Sequence, residues 1–221
     1  MNNTRMKFLE ELNRLRHDVL SMATKVEEDL GKALSALKNN DTELAKEVKA
    51  DDAVVNALQL KIEDEAAIVI ATQQPVARDL RELVSIFKIT SNLERAGDYT
   101  VHLAKAAIKL SEEQPSFPSM EHLERMAETA QEMIRSAISA YLSQDADEAR
   151  RIAALDDKID VEHKALIEEV LNLMKEQPRL IKKAVRLLKT SGYMERLGDH
   201  VTNICEEVIY MVNGTHEELN E

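Results

Sequence analysis

Residues 91–99 read SNLERAGDY and residues 192–200 read GYMERLGDH, so Glu94-Arg95-Ala96-Gly97-Asp98 returns as Glu195-Arg196-Leu197-Gly198-Asp199. A glycine inside a helix costs about 1 kcal/mol relative to alanine, so two of them at matching places need a physical cause. The repeat extends beyond these stretches. Laying the second half on the first puts Met22 on Met126, Ala33 on Ala137, Asp41 on Asp145, Ala45 on Ala149, Val48 on Ile152 and Asp52 on Asp156. Small shifts then bring Pro75 onto Pro178 and Ser85-Ile86-Phe87-Lys88 onto Arg186-Leu187-Leu188-Lys189. The chain is an internal duplication.

Each copy divides into three helical segments. Phe8, Leu12, Leu15, Val19, Met22, Val26, Leu30, Ala33 and Leu37 recur at helical spacing from Lys7 onward, up to the polar stretch Asn39-Asn40-Asp41-Thr42. A second helix is predicted from Thr42 to Gln73, stopping before Pro75, and a third from Val76 to Leu110. Residues 111–119, with two prolines and three serines, read as a linker. Three more helices follow, from Met120 to Leu142, Asp145 to Lys175 and Pro178 to Val212, with a polar tail expected to fray. The expected domains are therefore 1–110 and 120–221. The expected architecture is all-α, six helices forming two pseudo-symmetric, spectrin-repeat-like three-helix bundles that pack together through their leftover apolar surface.

Composition agrees and narrows the function classes. Only 5 Gly and 4 Pro interrupt 221 residues, and no Trp is present. The net charge of −12 disfavours a nucleic-acid backbone or an anionic membrane as partner. The longest apolar run, Ala66 to Ala71, is too short to span a bilayer, and the N-terminus has no signal-peptide core; a cytoplasmic location is expected. Cys205 is the sole cysteine, which rules out an intrachain disulfide and a cysteine-based zinc site and suggests a buried thiol.

On a helix, residues four apart share a face, so Glu94 with Asp98, and Glu195 with Asp199, each present two carboxylates side by side. Like charges there repel unless something positive sits near. All-oxygen donors suit Mg²⁺, Mn²⁺, Ca²⁺ or iron, and a glycine on the same face leaves room for an ion, water or a close helix. About seven acidic pairs at this spacing are expected by chance in so acidic a chain, so the weight rests on the full motif occurring twice at corresponding positions. The alternative is structural, with Arg95 and Arg196 bridging to neighbouring acids and the glycines serving packing alone. Further ligands would come from the second helix of each copy, where Asp52 and Asn56 match Asp156 and Asp160, with Glu63, Glu65, Glu168 and Glu169 further along. His200 is a lesser candidate ligand than a hydrogen-bonded histidine. Arg78, Arg81, Arg179 and Lys182 near the starts of the third and sixth helices read as a solvated basic face rather than an anion site.

Taken together, the chain resembles the PhoU family of phosphate-signalling proteins. The likeness is carried by Leu15-Arg16 through Val26-Glu27, Asp52 to Asn56, Gln74-Pro75 with Ala77-Arg78-Asp79-Leu80-Arg81, both E-R-x-G-D motifs, Asp156 to Asp160, and Asn203 to Glu206. The resemblance implies two repeated three-helix bundles, each with an E/D-x-x-x-D motif. It also implies a cytoplasmic regulator that represses the phosphate-starvation response when phosphate is plentiful, by contacting the phosphate ABC transporter ATPase and a sensor histidine kinase. Some members hold iron or other metal clusters at these motifs and others are metal-free; a homodimer is also compatible. The competing readings are a metalloenzyme and a plain helical scaffold. Against an enzyme, no histidine has Glu three places before it, as a ferritin-like centre requires, and no phosphate loop or nucleophile triad is present.

Overall fold

Asn40 and Gln144, equivalent residues of the two copies, both adopt left-handed backbone conformations, with φ of 54° and 58°. Each is followed by an aspartate that caps the next helix. Asp41 Oδ1 accepts from the Glu43 and Leu44 amides at 3.1 and 3.0 Å, and Asp145 Oδ1 from those of Asp147 and Glu148 at 3.1 and 2.9 Å. A side-chain acceptor at this position satisfies amides that the first helical turn leaves orphaned. The same turn thus folds the chain back in both copies.

The computed structural model describes residues 3–111 and 120–219. Its helices are α1 (Asn3–Asn39), α2 (Thr42–Gln73), α3 (Ala77–Ser111), α4 (Glu121–Ser143), α5 (Ala146–Ala153), α6 (Asp156–Glu176) and α7 (Ile181–Asn213), with one 3₁₀ turn at Pro178–Leu180. No strand occurs among the described residues. Of the linker foreseen at 111–119, Ser111 ends α3 and the rest lies outside the described residues. The periodic stripe of α1 is buried along its length, from Phe8 through Val19 and Val26 to Leu37. At 37 residues α1 spans about 55 Å.

α1, α3, α4 and α7 form the centre, α2 packs on α1 and α3, and α5 and α6 pack on α4 and α7. The two bundles meet chiefly along α3 and α7. There Lys88 Nζ donates to Glu207 Oε1 at 2.7 Å and Ser85 Oγ to the Glu207 carbonyl at 3.3 Å. α1 meets α4 through Lys38 and Glu124 at 3.0 Å, and closely at Gly31, where a Cβ would lie 2.9 Å from Gln131 Nε2. The pseudo-symmetric pair of bundles expected from the repeat is therefore present, joined side by side.

Two expectations are corrected. The single helix predicted over Asp145–Lys175 is interrupted at Ala154–Leu155, where backbone bonds run to the third residue back: Leu155 N to Ile152 O at 2.9 Å and Lys158 N to Leu155 O at 3.0 Å. In the first copy the corresponding place in α2 is continuous and fastened by ions. Lys25 Nζ bonds Asp29 at 2.7 Å and also Asp51, and Lys32 lies 3.5 Å from Asp51. The equivalents in the second copy are Thr129, Met133, Ser136 and Leu155, which carry no such network, and Leu155 packs toward the core instead. The second correction concerns the tail, which does not fray over 214–219. Gly214, with φ 78°, ends α7 in the left-handed conformation, its amide bonding Tyr210 O at 2.8 Å, and the chain turns back over α7 and α5.

Candidate functional site

The two motifs lie midway along α3 and α7 and face the second helical segment of their own copies. The two glycines answer to different neighbours. A Cβ on Gly97 would sit 3.3 Å from Val55 Cγ1 and 3.8 Å from Val26 Cγ2, so that glycine lets α3 press against α1 and α2. A Cβ on Gly198 would sit 3.0 Å from Ile159 Cδ1, the counterpart of Val55, and 2.1 Å from Asp156 Oδ1. Gly198 therefore gives its missing side-chain volume to a carboxylate.

The first copy is partly neutralised. Arg95 Nη1 lies 3.2 Å from Asp98 Oδ2, and its Nε 3.7 Å from Glu94 Oε2. Asn56 donates to Asp52 Oδ2 at 3.4 Å, and Glu63 accepts from Gln59 at 2.9 Å and Thr90 at 3.5 Å. Burial is the main cause that raises the Glu94 carboxyl above its ordinary pKa; Asp98, Asp52 and Glu63 add to it and Arg95 opposes it.

The second copy leaves one carboxylate oxygen unpartnered. Asp156 Oδ1 is buried with no hydrogen-bond partner among the described residues. Burial, followed by the charges of Asp199, Asp160, Glu195 and Asp157, pushes the Asp156 carboxyl up to about 7. Glu195 and Asp199 are also raised, again by burial first, with Asp199 and Asp160 adding to it on Glu195 and Asp160 on Asp199, while His163 and Arg196 oppose it on Glu195 and His200 and Arg196 on Asp199. These four acids line a cavity of about 330 Å³ together with Arg150, Asp157 and Leu219. As the side chains stand, no three His, Cys, Asp or Glu among the described residues converge closely enough to hold an ion. The carboxylates share one cavity without forming a closed coordination shell.

The other sequence candidates sort by contact. Glu63 adds its charge to the first cluster. Glu65 faces Lys61 at 4.0 Å and Glu169 faces His122 Nε2 at 3.3 Å, while Glu168 is exposed, so these three belong elsewhere. His200 Nδ1 is hydrogen bonded to Asn92 Oδ1 at 2.8 Å, and burial lowers its pKa. Its ring stacks on Tyr99, centroids 5.7 Å apart, and His102 stacks on Tyr193 at 4.7 Å, forming an aromatic layer between the two motifs. Cys205 is fully buried. Of the basic residues, Arg78 bonds Gln144, and Arg81 lies against Gly214 and reaches the Met211 carbonyl at 3.5 Å, tying helix ends together. Arg150, Glu217 and Leu219 were not foreseen as neighbours of the site. They meet across long sequence separation, which no local spacing signals.

The model of the PhoU domain matches residues 19–107 and 123–208. A phosphate-specific transport system accessory protein PhoU homolog of Pseudomonas putida is 36% identical over 95% of this chain and 82% of its own length. The homolog of Clostridium acetobutylicum is 32% identical over 99% and 100%. The crystal structure of PhoU from Pseudomonas aeruginosa superposes with a TM-score of 0.89 at 36% identity, covering 94% of this chain and 100% of that one.

Proposed function

This chain belongs to the PhoU family, and we propose that it regulates phosphate uptake and phosphate-starvation signalling by binding, not by catalysis. Its relatives carry the name of accessory proteins of a phosphate-specific transport system. The observation that carries the proposal is likeness across nearly the whole length, both repeats included. In this account the protein works in the cytoplasm, where it contacts the ATPase of the phosphate ABC transporter and a sensor histidine kinase and holds the starvation response down when phosphate is plentiful. Among the described residues no helix is long and apolar enough to cross a membrane.

A regulator of this kind needs an uncovered face. The outer side of α2 exposes Val54, Leu60 and Ile68 at 47%, 64% and 61%, spaced along one side of the helix. We assign that face to the transporter ATPase. Co-purification of the tagged chain with that ATPase should succeed in phosphate-replete medium and fall at least several-fold in Leu60→Asp plus Ile68→Asp. Absence of the ATPase and of the kinase from the wild-type eluate at both low and high phosphate would overturn the regulatory proposal. Retention in the α2 variant would overturn only the face.

The motif residues are proposed to take a hard cation. The second copy fits such an ion on three counts: an all-oxygen donor set, a buried carboxylate oxygen without a partner, and a glycine cradle that a Cβ would fill. Asp156, Asp160, Glu195 and Asp199 would hold it after small side-chain rotations. In the first copy Glu94, Asp98, Asp52 and Asn56 would do so once Arg95 lets go of Asp98. The ion would supply the positive charge that relieves carboxylate repulsion and draws α6 toward α7. A metalloenzyme is not favoured: no histidine has Glu three places before it, as a ferritin-like di-iron centre requires.

A further inference from the structure

The chain after α7 is anchored at four places. Gly214 reverses its direction. The His216 ring then lies flat on Tyr210, centroids 4.0 Å apart and planes 5° from parallel. Glu217 takes a bidentate pair from Arg150, Nη2 to Oε1 at 2.6 Å and Nε to Oε2 at 2.8 Å. Finally the Leu219 amide donates to Glu206 Oε1 at 2.8 Å, while the Leu219 side chain packs on the core and forms part of the wall around Asp156, Asp160, Glu195 and Asp199. Arg150 lines the same cavity, yet its guanidinium is taken by Glu217 and, through Nη1 at 2.6 Å, by Asp147. In the first copy the equivalent residue is Lys46, which pairs with Glu43 on its own helix at 2.6 Å.

We propose that residues 214–219 form a strap over the acidic cavity of the second repeat, latched by Arg150 and Glu217 and seated by Leu219, which governs how fast a ligand reaches the four carboxylates. The strap makes the two repeats unequal: the first site exchanges its ligand freely, the second only when the latch opens. Because the latch is an ion pair at the surface, it opens more readily as salt rises, and a basic partner surface that captures Glu217 would release it. The ligand in this account is the hard cation proposed above.

The test reads access without relying on any cation. Full-length protein is treated with a water-soluble carbodiimide and glycine ethyl ester, and labelling of individual carboxylates is followed by peptide mass mapping. Relative to wild type, Glu217→Gln, Arg150→Ala and Leu219→Ala should each label Asp156 and Glu195 roughly five-fold faster, with Glu94 and Asp98 unchanged. Unchanged rates at Asp156 and Glu195 in all three variants would overturn the strap, as would equal acceleration at Glu94 and Asp98, which would mean general loosening. A second arm loads Mn²⁺ and follows its release to chelator by paramagnetic resonance, where the slow phase should quicken by a similar factor in the variants. Faster labelling in a protein that binds no Mn²⁺ would support the strap and overturn the cation proposal on its own.

Discussion

At the scale of single residues, the two glycines of the repeated motif separate packing from chemistry. Gly97→Ala asks Val55 to yield by a few tenths of an ångström and gains helix propensity. Gly198→Ala would drive its methyl into Asp156 Oδ1 and expel the carboxylate from its cradle. A cation-dependent rise in melting temperature, measured with and without Mn²⁺, should be unchanged by the first substitution and clearly reduced by the second, which leaves only the first copy's site. Asp156 also sets a pH dependence. Its folded pKa of about 7 lies above the ordinary 3.8, so between those values the folded chain holds a proton that the unfolded chain has lost. Without divalent cation, that contribution to stability is full below about pH 4 and is lost as pH rises through 7. Asp156→Asn should flatten this slope and stabilise the cation-free protein at pH 8 by roughly 1–2 kcal/mol, a figure reduced for the partial exposure of the site. Thermal melts across pH 5 to 8 check both statements. The acids themselves were legible in sequence from their i,i+4 spacing and duplication. The different duties of the glycines were not, because Val55 and Ile159 are near-equivalent apolar residues, and only the turn of the backbone before Asp156 decides which atom fills the gap.

At the scale of elements, the copies differ where α2 runs on and α5 stops. The break at the polar stretch Asn39-Asn40-Asp41-Thr42 and the stop before Pro75 could be read directly from residue type. The break at Ala154–Leu155 could not, since both are good helix formers. Lys25 and Lys32 of α1 hold Asp51 of the first copy, whereas the equivalent positions of the second copy are Thr129, Ser136 and Leu155, with no ion pair to fasten them. The Asp156 and Asp157 amides open a new helix and lack the bonds of a helix interior. Native-state hydrogen exchange should therefore be markedly faster at residues 156–157 than at 52–53, by an order of magnitude or more. Equal protection would mean that the interruption does not persist in solution. The ordered tail escaped sequence reading for a related reason: its anchors are Arg150, Glu206 and Tyr210, and a short polar segment considered alone carries no sign of them.

At the scale of the whole molecule, duplication has produced one body with two related but unequal acidic sites. The long α3–α7 seam, with Lys88 and Ser85 on Glu207 at its edge, couples the bundles, and calorimetry should show a single cooperative transition; two separated transitions would contradict that coupling. Family membership accounts for the fold and for a role in phosphate transport, while the chemistry of regulation is proposed to lie in the carboxylates. The most direct test is the metal content of protein purified without chelator, compared between wild type and Asp156→Asn plus Glu195→Gln. A hard divalent or iron ion near one or more equivalents in wild type, reduced by at least one equivalent in the variant, is the predicted result. Metal-free wild type that also takes up none on addition of Mn²⁺ or Fe²⁺, or a metal content the variant leaves unchanged, would contradict the account.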